Sequence, residues 1–160
     1  GTHPTFSITK TVADINLDVL NTFGRTKDIT VIGYGQSTLD EYARQAAARQ
    51  DRIVVPEANP EAGWFFRSDH FNFAKKGVPG LYIGAGTDAI GHTKGWGKEQ
   101  IATYTRLRYH SPADEFDAAT WVMDGMTEDV RLLFDVGYRL CNENSFPAWK
   151  TGSEFKAYRK

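Results

Sequence analysis

The sequence predicts an α/β protein of three layers, in which a mostly parallel or mixed sheet is covered by helices. Three observations lead there. Four short apolar runs rich in β-branched residues punctuate the chain, a helical pattern separates the second run from the third, and a long amphipathic stretch lies near the C-terminus. With 160 residues, 41% of them hydrophobic and 13% aromatic, the chain can bury one sizeable core, so residues 1–160 are read as a single domain.

The first run, Val12 to Leu20, reads as a strand, followed by strands at Ile29 to Gly33, Ile53 to Val55 and Gly80 to Ile83. Between the second and third, Ser37 or Thr38 can cap a helix over Ser37 to Gln50 that carries Leu39, Tyr42, Ala43 and Ala46 on one face. That makes a β-α-β unit, which favours a right-handed crossover. Ser68 to Lys76 reads as a short helix with Phe71, Phe73 and Ala74 inward, closed by Gly77 ahead of Val78-Pro79. Met126, Val130, Leu133, Phe134, Gly137, Leu140 and Cys141 fall at helical spacing and predict a long sheet-covering helix from Asp124 to Asn142. After Pro147 the tail is polar and is expected to pack loosely. The longest irregular stretch, Gly84 to Gly97, follows the carboxyl end of a strand, where open α/β sheets bind ligands.

Nineteen basic against twenty acidic residues leave a formal charge of −1 and no basic stripe, so nothing in the charge drives a nucleic-acid or anionic-membrane reading. The single cysteine, Cys141, excludes an internal disulfide framework and a Cys-rich zinc knuckle, and its helical spacing suggests a buried structural thiol. No apolar run reaches the ~18 residues of a membrane segment, and Gly1-Thr2-His3-Pro4 has no leader-like pattern. Small molecules and peptides are the expected ligands.

Three stretches carry candidate chemistry: Asn16-Leu17-Asp18 after a strand, Arg67-Ser68-Asp69-His70 before a helix, and Tyr109-His110-Ser111-Pro112-Ala113-Asp114 after a helix. A carboxylate at Asp18, ending an apolar strand, is either solvated or else paired, hydrogen-bonded or bound to metal. An imidazole such as His110 is either a satisfied polar residue or a zinc ligand. His70 is read as structural. Asp114 either accepts from the His110 imidazole or caps the next turn, the cap being favoured. His92 and Trp96 either line a specificity pocket or decorate a surface loop.

Taken in this order, and with the flanking text Phe71-Asn72-Phe73-Ala74-Lys75-Lys76-Gly77-Val78-Pro79-Gly80-Leu81-Tyr82-Ile83 and the tail Trp149-Lys150-Thr151-Gly152-Ser153-Glu154-Phe155, the motifs resemble the M28 family of zinc-dependent exopeptidases. The similarity runs from Thr11 to Lys160. It implies the C-terminal part of an aminopeptidase-like catalytic domain, a partial zinc-peptidase fold, in which Asp18 is a terminal ligand of one zinc ion and His110 a ligand of the second. The family completes that pair with an upstream His, a bridging Asp, a general-base Glu and an adjacent Glu ligand, none of which has a counterpart here. A zinc site needs three or four protein ligands. The chain alone is therefore expected neither to bind zinc tightly nor to cleave peptides, and no catalytic residue proper is assigned within it.

By the same resemblance Ser68 hydrogen-bonds the Asp18 carboxylate and fixes its orientation, or caps the helix near Asp69, or both. Trp64, Phe65, Phe66 and Arg67 wall the substrate pocket, with Arg67 contacting substrate or pairing with an acidic neighbour. Some family members place an oxyanion-assisting Tyr here, whereas Phe65 and Phe66 have no hydroxyl. The implied partners are a peptide substrate, the missing N-terminal part of the same protein, and a second copy meeting an exposed sheet edge. Family members are largely secreted, periplasmic or membrane-tethered, which implies a secreted or periplasmic location. Two other readings stand beside this one: a non-catalytic binding or dimerisation module of the same fold, and a glutaminyl-cyclase-like enzyme, since those cyclases share the architecture.

Overall fold

A computed structural model describes residues 5–159, so the readings made on Gly1-Thr2-His3-Pro4 lie outside the described residues. Strands β1 (Asp14–Asn16), β2 (Asp28–Ile32), β3 (Ile53–Pro56) and β4 (Gly80–Gly84) form one mixed sheet in the order β1-β4-β2-β3. β1 runs parallel to β4 and β2 parallel to β3, while β2 and β4 meet antiparallel, with Ile32 opposite Tyr82 and Thr30 opposite Gly84. The α/β class and the β-α-β unit are as the sequence predicts. β1 is shorter than the apolar run Val12 to Leu20, because only Asp14, Ile15 and Asn16 find partners on β4.

Alternation along the strands sorts the two faces. Ile29, Val31, Leu81 and Ile83 point to one face and pack against α1 (Leu39–Ala48) and α4 (Asp124–Asn142) in the main core. Leu39, Ala43 and Ala46 are buried as the helical spacing requires, and Ser37 Oγ accepts the Leu39 N–H at 3.2 Å. The α4 boundaries match the sequence reading, but its inward stripe is Asp129, Leu132, Leu133, Val136 and Leu140. Val130 and Phe134 face outward, Phe134 being 71% exposed, and Cys141 is an exposed thiol rather than a buried one. The helix carries apolar residues on two sides, and only one of them meets the sheet.

Deep in this layer Arg52 and Asp129 form an ion pair at 2.8 Å, with side chains 2% and 1% exposed. Arg52 also donates to Thr26 Oγ1 and to the Asp28 carbonyl, each at 2.9 Å. These bonds tie the start of β3 to α4 and β2, and pair the terminal nitrogen of a guanidinium that would be costly to bury alone, leaving only its Nε without a partner among the described residues.

On the other face α2 (His70–Ala74) packs against β1 and β4, and a second cluster joins Phe65, Ala74, Trp149 and Phe155 to Ile32. The tail is therefore anchored, not loose: Trp149 and Phe155 are 4% and 2% exposed, and the Trp149 indole N–H donates to the Gly77 carbonyl at 2.9 Å. Phe71 contributes to this cluster, but Phe73 is turned outward and His70 takes the inward place. Gly33 turns with φ +72°, and a Cβ there would lie 2.3 Å from the Phe65 ring, so only glycine lets β2 end over that ring.

α3 (Trp96–Leu107) begins within the stretch read as irregular and buries only Gly97. It stands away from the sheet and roofs the part of the second face that α2 leaves open.

Candidate active site

Asp18 lies two residues past β1, and Ser68 lies two residues before α2, which the Phe65 cluster seats over β1 and β4. The Ser68 hydroxyl donates to Asp18 Oδ2 at 2.7 Å, and the Asn16 amide donates to Ser68 Oγ at 2.8 Å. The hydrogen bond expected between Ser68 and Asp18 is thus present, and no side chain caps α2: its flanking residue Asp69 makes no capping bond. Asp69 is exposed, and its charge, after burial, helps hold the Asp14 carboxyl above the ordinary carboxylate range.

A cavity of about 1050 Å³ opens between α3 and the second sheet face, and Asp18, Trp64, Tyr82, Tyr104, Tyr109 and Asp114 all line it. Tyr109 joins its parts, meeting Trp64 edge-on at 6.4 Å and Tyr104 at 6.2 Å. His110 stacks on Tyr109 at 3.9 Å and is exposed beside the cavity rather than within its lining. Its backbone has φ +56°, in the left-handed region that non-glycine residues rarely adopt, and such strain clusters at functional positions.

Tyr82 and Tyr104 are held protonated. Burial, with the nearby Asp18 charge, pushes the Tyr82 hydroxyl up to about 12. Burial and the hydrogen bond to Asp114 push that of Tyr104 up to about 12. That bond, Tyr104 Oη to Asp114 Oδ2 at 2.8 Å, corrects the sequence reading: the carboxylate neither takes the His110 imidazole nor caps a turn. Glu57, after β3, also lines the cavity and accepts the Gly33 N–H at 2.8 Å.

Other expected wall residues separate. Trp64 lines the cavity, but Phe65 is 4% exposed in the second core cluster and belongs to packing, not to the wall. Phe66 is 48% exposed and packs edge-on against Phe65 and Phe71. Arg67 is exposed and lies over the Trp64 ring at 5.8 Å, with no ion pair among the described residues. Trp96 stacks on His92 at 3.6 Å and meets Phe23 edge-on, outside the cavity lining. His70 is fully buried, and burial drives its imidazole down to about 4.

Asn16, Glu57, Tyr82 and Tyr104 are the residues to which sequence reasoning gave no role. Asn16 had the one available signal, its i, i+2 spacing from Asp18 along an extended chain. The donor chemistry at Asp18 and His110 suits a zinc-type cation, with one Asp18 oxygen free of Ser68 and an exposed imidazole. The donor number does not: among the described residues no group of three or more His, Cys, Asp or Glu could hold a metal ion.

A family model described as peptidase family M28 matches residues 2–134. No curated protein and no solved structure matches the chain.

Proposed function

Because the chain belongs to peptidase family M28 and is thereby a peptidase-type hydrolase, we propose that it is the C-terminal part of a di-zinc, aminopeptidase-like exopeptidase domain. In this reading Asp18 and His110 are its metal donors, and the remaining donors and the general base lie in polypeptide outside these 160 residues. The observation that carries the reading is the Asp18 carboxylate, held in place by Ser68 on the wall of a cavity large enough for a peptide. Two zinc ions, when bound, supply an activated water and polarise the scissile carbonyl.

The chain's own residues do the rest by position. Ser68 holds one oxygen of Asp18, and Tyr109 carries His110 beside the cavity. Trp64, Tyr82, Tyr104 and Tyr109 offer aromatic faces to a bound peptide, and the protonated Tyr82 hydroxyl adds a donor. Phe65 and Phe66 supply no hydroxyl, so an oxyanion-assisting donor at those positions is absent.

The test compares this chain with the native gene product that contains it, using an aminoacyl chromogenic substrate with and without chelator. Turnover confined to the longer protein, abolished by chelator and reduced at least ~100-fold by Asp18→Asn or His110→Ala, is the expected result. Full activity in either variant would remove these residues from the site. The incomplete donor set among the described residues supports a second reading, a non-catalytic module of the same fold, which predicts neither turnover nor tight zinc binding in the longer protein.

A further inference from the structure

We propose that Glu57 sets the specificity of the cavity: it receives the charged end of a lysine or arginine side chain and so selects peptides whose N-terminal residue is basic. The inference rests on the aminopeptidase-like reading of the site and names its substrate class.

Strand register places Glu57 relative to the end of the cavity that holds Asp18. Asn16 lies opposite Tyr82, Tyr82 opposite Ile32, and Val31 opposite Pro56, so Glu57 comes next to Ile32 at the far side of one row across the sheet. Two strand spacings, about 10 Å, separate the Tyr82 and Glu57 backbones. Tyr82, Ile32 and Glu57 all line the cavity. After burial, the charges of Asp18 and, less strongly, of Glu57 raise the Tyr82 hydroxyl, which therefore stands between the two carboxylates.

Among the carboxylates of the cavity, Asp18, Glu57 and Asp114, only Glu57 has an oxygen buried without a donor among the described residues. Its Oε1 accepts the Gly33 N–H at 2.8 Å, but Oε2 is unmatched, and no ion pair among the described residues includes Glu57. Of the cations in the lining, Arg108 pairs with Asp117 at 3.8 Å. Lys98 sits in the first turn of α3, beside Gly97, which packs on the Thr87 carbonyl at the opposite end of the strands. A carboxylate oxygen left without a donor is costly, and a cationic occupant supplies one. The last torsion of a glutamate side chain is soft, so Oε2 can turn to the cavity. Ile32, Val55 and Pro56 offer an apolar wall beside the Tyr82 and Trp64 rings. That wall suits the methylene stem of a lysine or arginine whose head reaches the carboxylate.

Glu57→Gln keeps an oxygen to accept the Gly33 N–H and removes the charge. The native gene product is assayed on lysyl, arginyl and norleucyl p-nitroanilides, norleucine having the stem without the charged head. Calorimetry of lysinamide and norleucinamide binding gives a readout without turnover. Wild type is expected to favour the basic substrates at least ~10-fold in kcat/KM. Glu57→Gln is expected to lose about 10- to 100-fold on those substrates and less than about twofold on the norleucyl one. Equal losses on all three, with a lowered melting temperature, would mean that Glu57 only closes the end of β2 and would overturn the inference. A basic preference that survives in Glu57→Gln would overturn it too. So would its absence from wild type, which decides the matter should the variant fail to fold. Absence of turnover on every substrate would sink the aminopeptidase-like reading. Lysinamide binding weakened by Glu57→Gln would then still sustain the basic side-chain site, whereas equal binding of the two amides would overturn both.

Discussion

His70 is buried against Phe65, Tyr82 and Gly80, and neither of its ring nitrogens finds a hydrogen-bond partner among the described residues. Its imidazole titrates near 4 in the folded chain against an ordinary 6.5, mainly through burial. Between those values the unfolded chain takes up a proton that the folded chain refuses. Stability therefore falls as pH drops from 6.5 toward 4 and is fully present above 6.5, a difference on the order of 3 kcal/mol. Urea midpoints for wild type and His70→Phe at pH 7 and pH 4.5 check this. The variant is expected to lose less stability on acidification, and equal losses would refute it. The hydrogen bond from Ser68 to Asp18 was legible because both residues sit in short motifs of fixed order. The Asn16 contribution was not, since convergence of a strand and a helix start is invisible until both are placed.

Among the elements, the tail was the least legible. Lys150, Ser153, Glu154 and Lys156 make it read as solvated, yet two aromatic anchors decide its fate. Trp149→Ala removes a buried indole and its bond to Gly77, and should cost about 3–5 kcal/mol in chemical unfolding. Gly77→Ala should also destabilise, since φ is +79° and the added Cβ would lie 2.4 Å from the Arg159 backbone nitrogen, forcing the tail off α2. A melting temperature unchanged in both variants would mean that the tail is not part of the core. At the start of β3, Arg52→Met leaves Asp129 buried without its partner and should cost about 3–5 kcal/mol by the same assay. α4 was legible in length but not in rotation, because its two apolar stripes give one periodicity and two candidate faces. α3 left almost no apolar signal, since a helix that buries only Gly97 needs no hydrophobic stripe.

Over the whole molecule, β1 and β3 each pair on one side only, and α4 presents Phe134 and Tyr138 to solvent, 71% and 63% exposed. Unpaired strand edges beside exposed aromatic side chains favour association. The isolated chain is expected to elute from size exclusion as a concentration-dependent dimer or larger species. A single monomeric peak across a hundredfold dilution would refute this.

The strand order also has a consequence in time. β2, α1 and β3 are neighbours in sequence and can pair through one short crossover, whereas Asp14 on β1 must wait for Gly80 on β4. Long-range pairing closes slowly because chain entropy is lost before contacts repay it. Asn16 and Asp18 ride on the strand that joins by that long closure, so the candidate site is among the last parts of the molecule to take shape. Substitutions in β1 would then speed unfolding while leaving the refolding rate nearly unchanged.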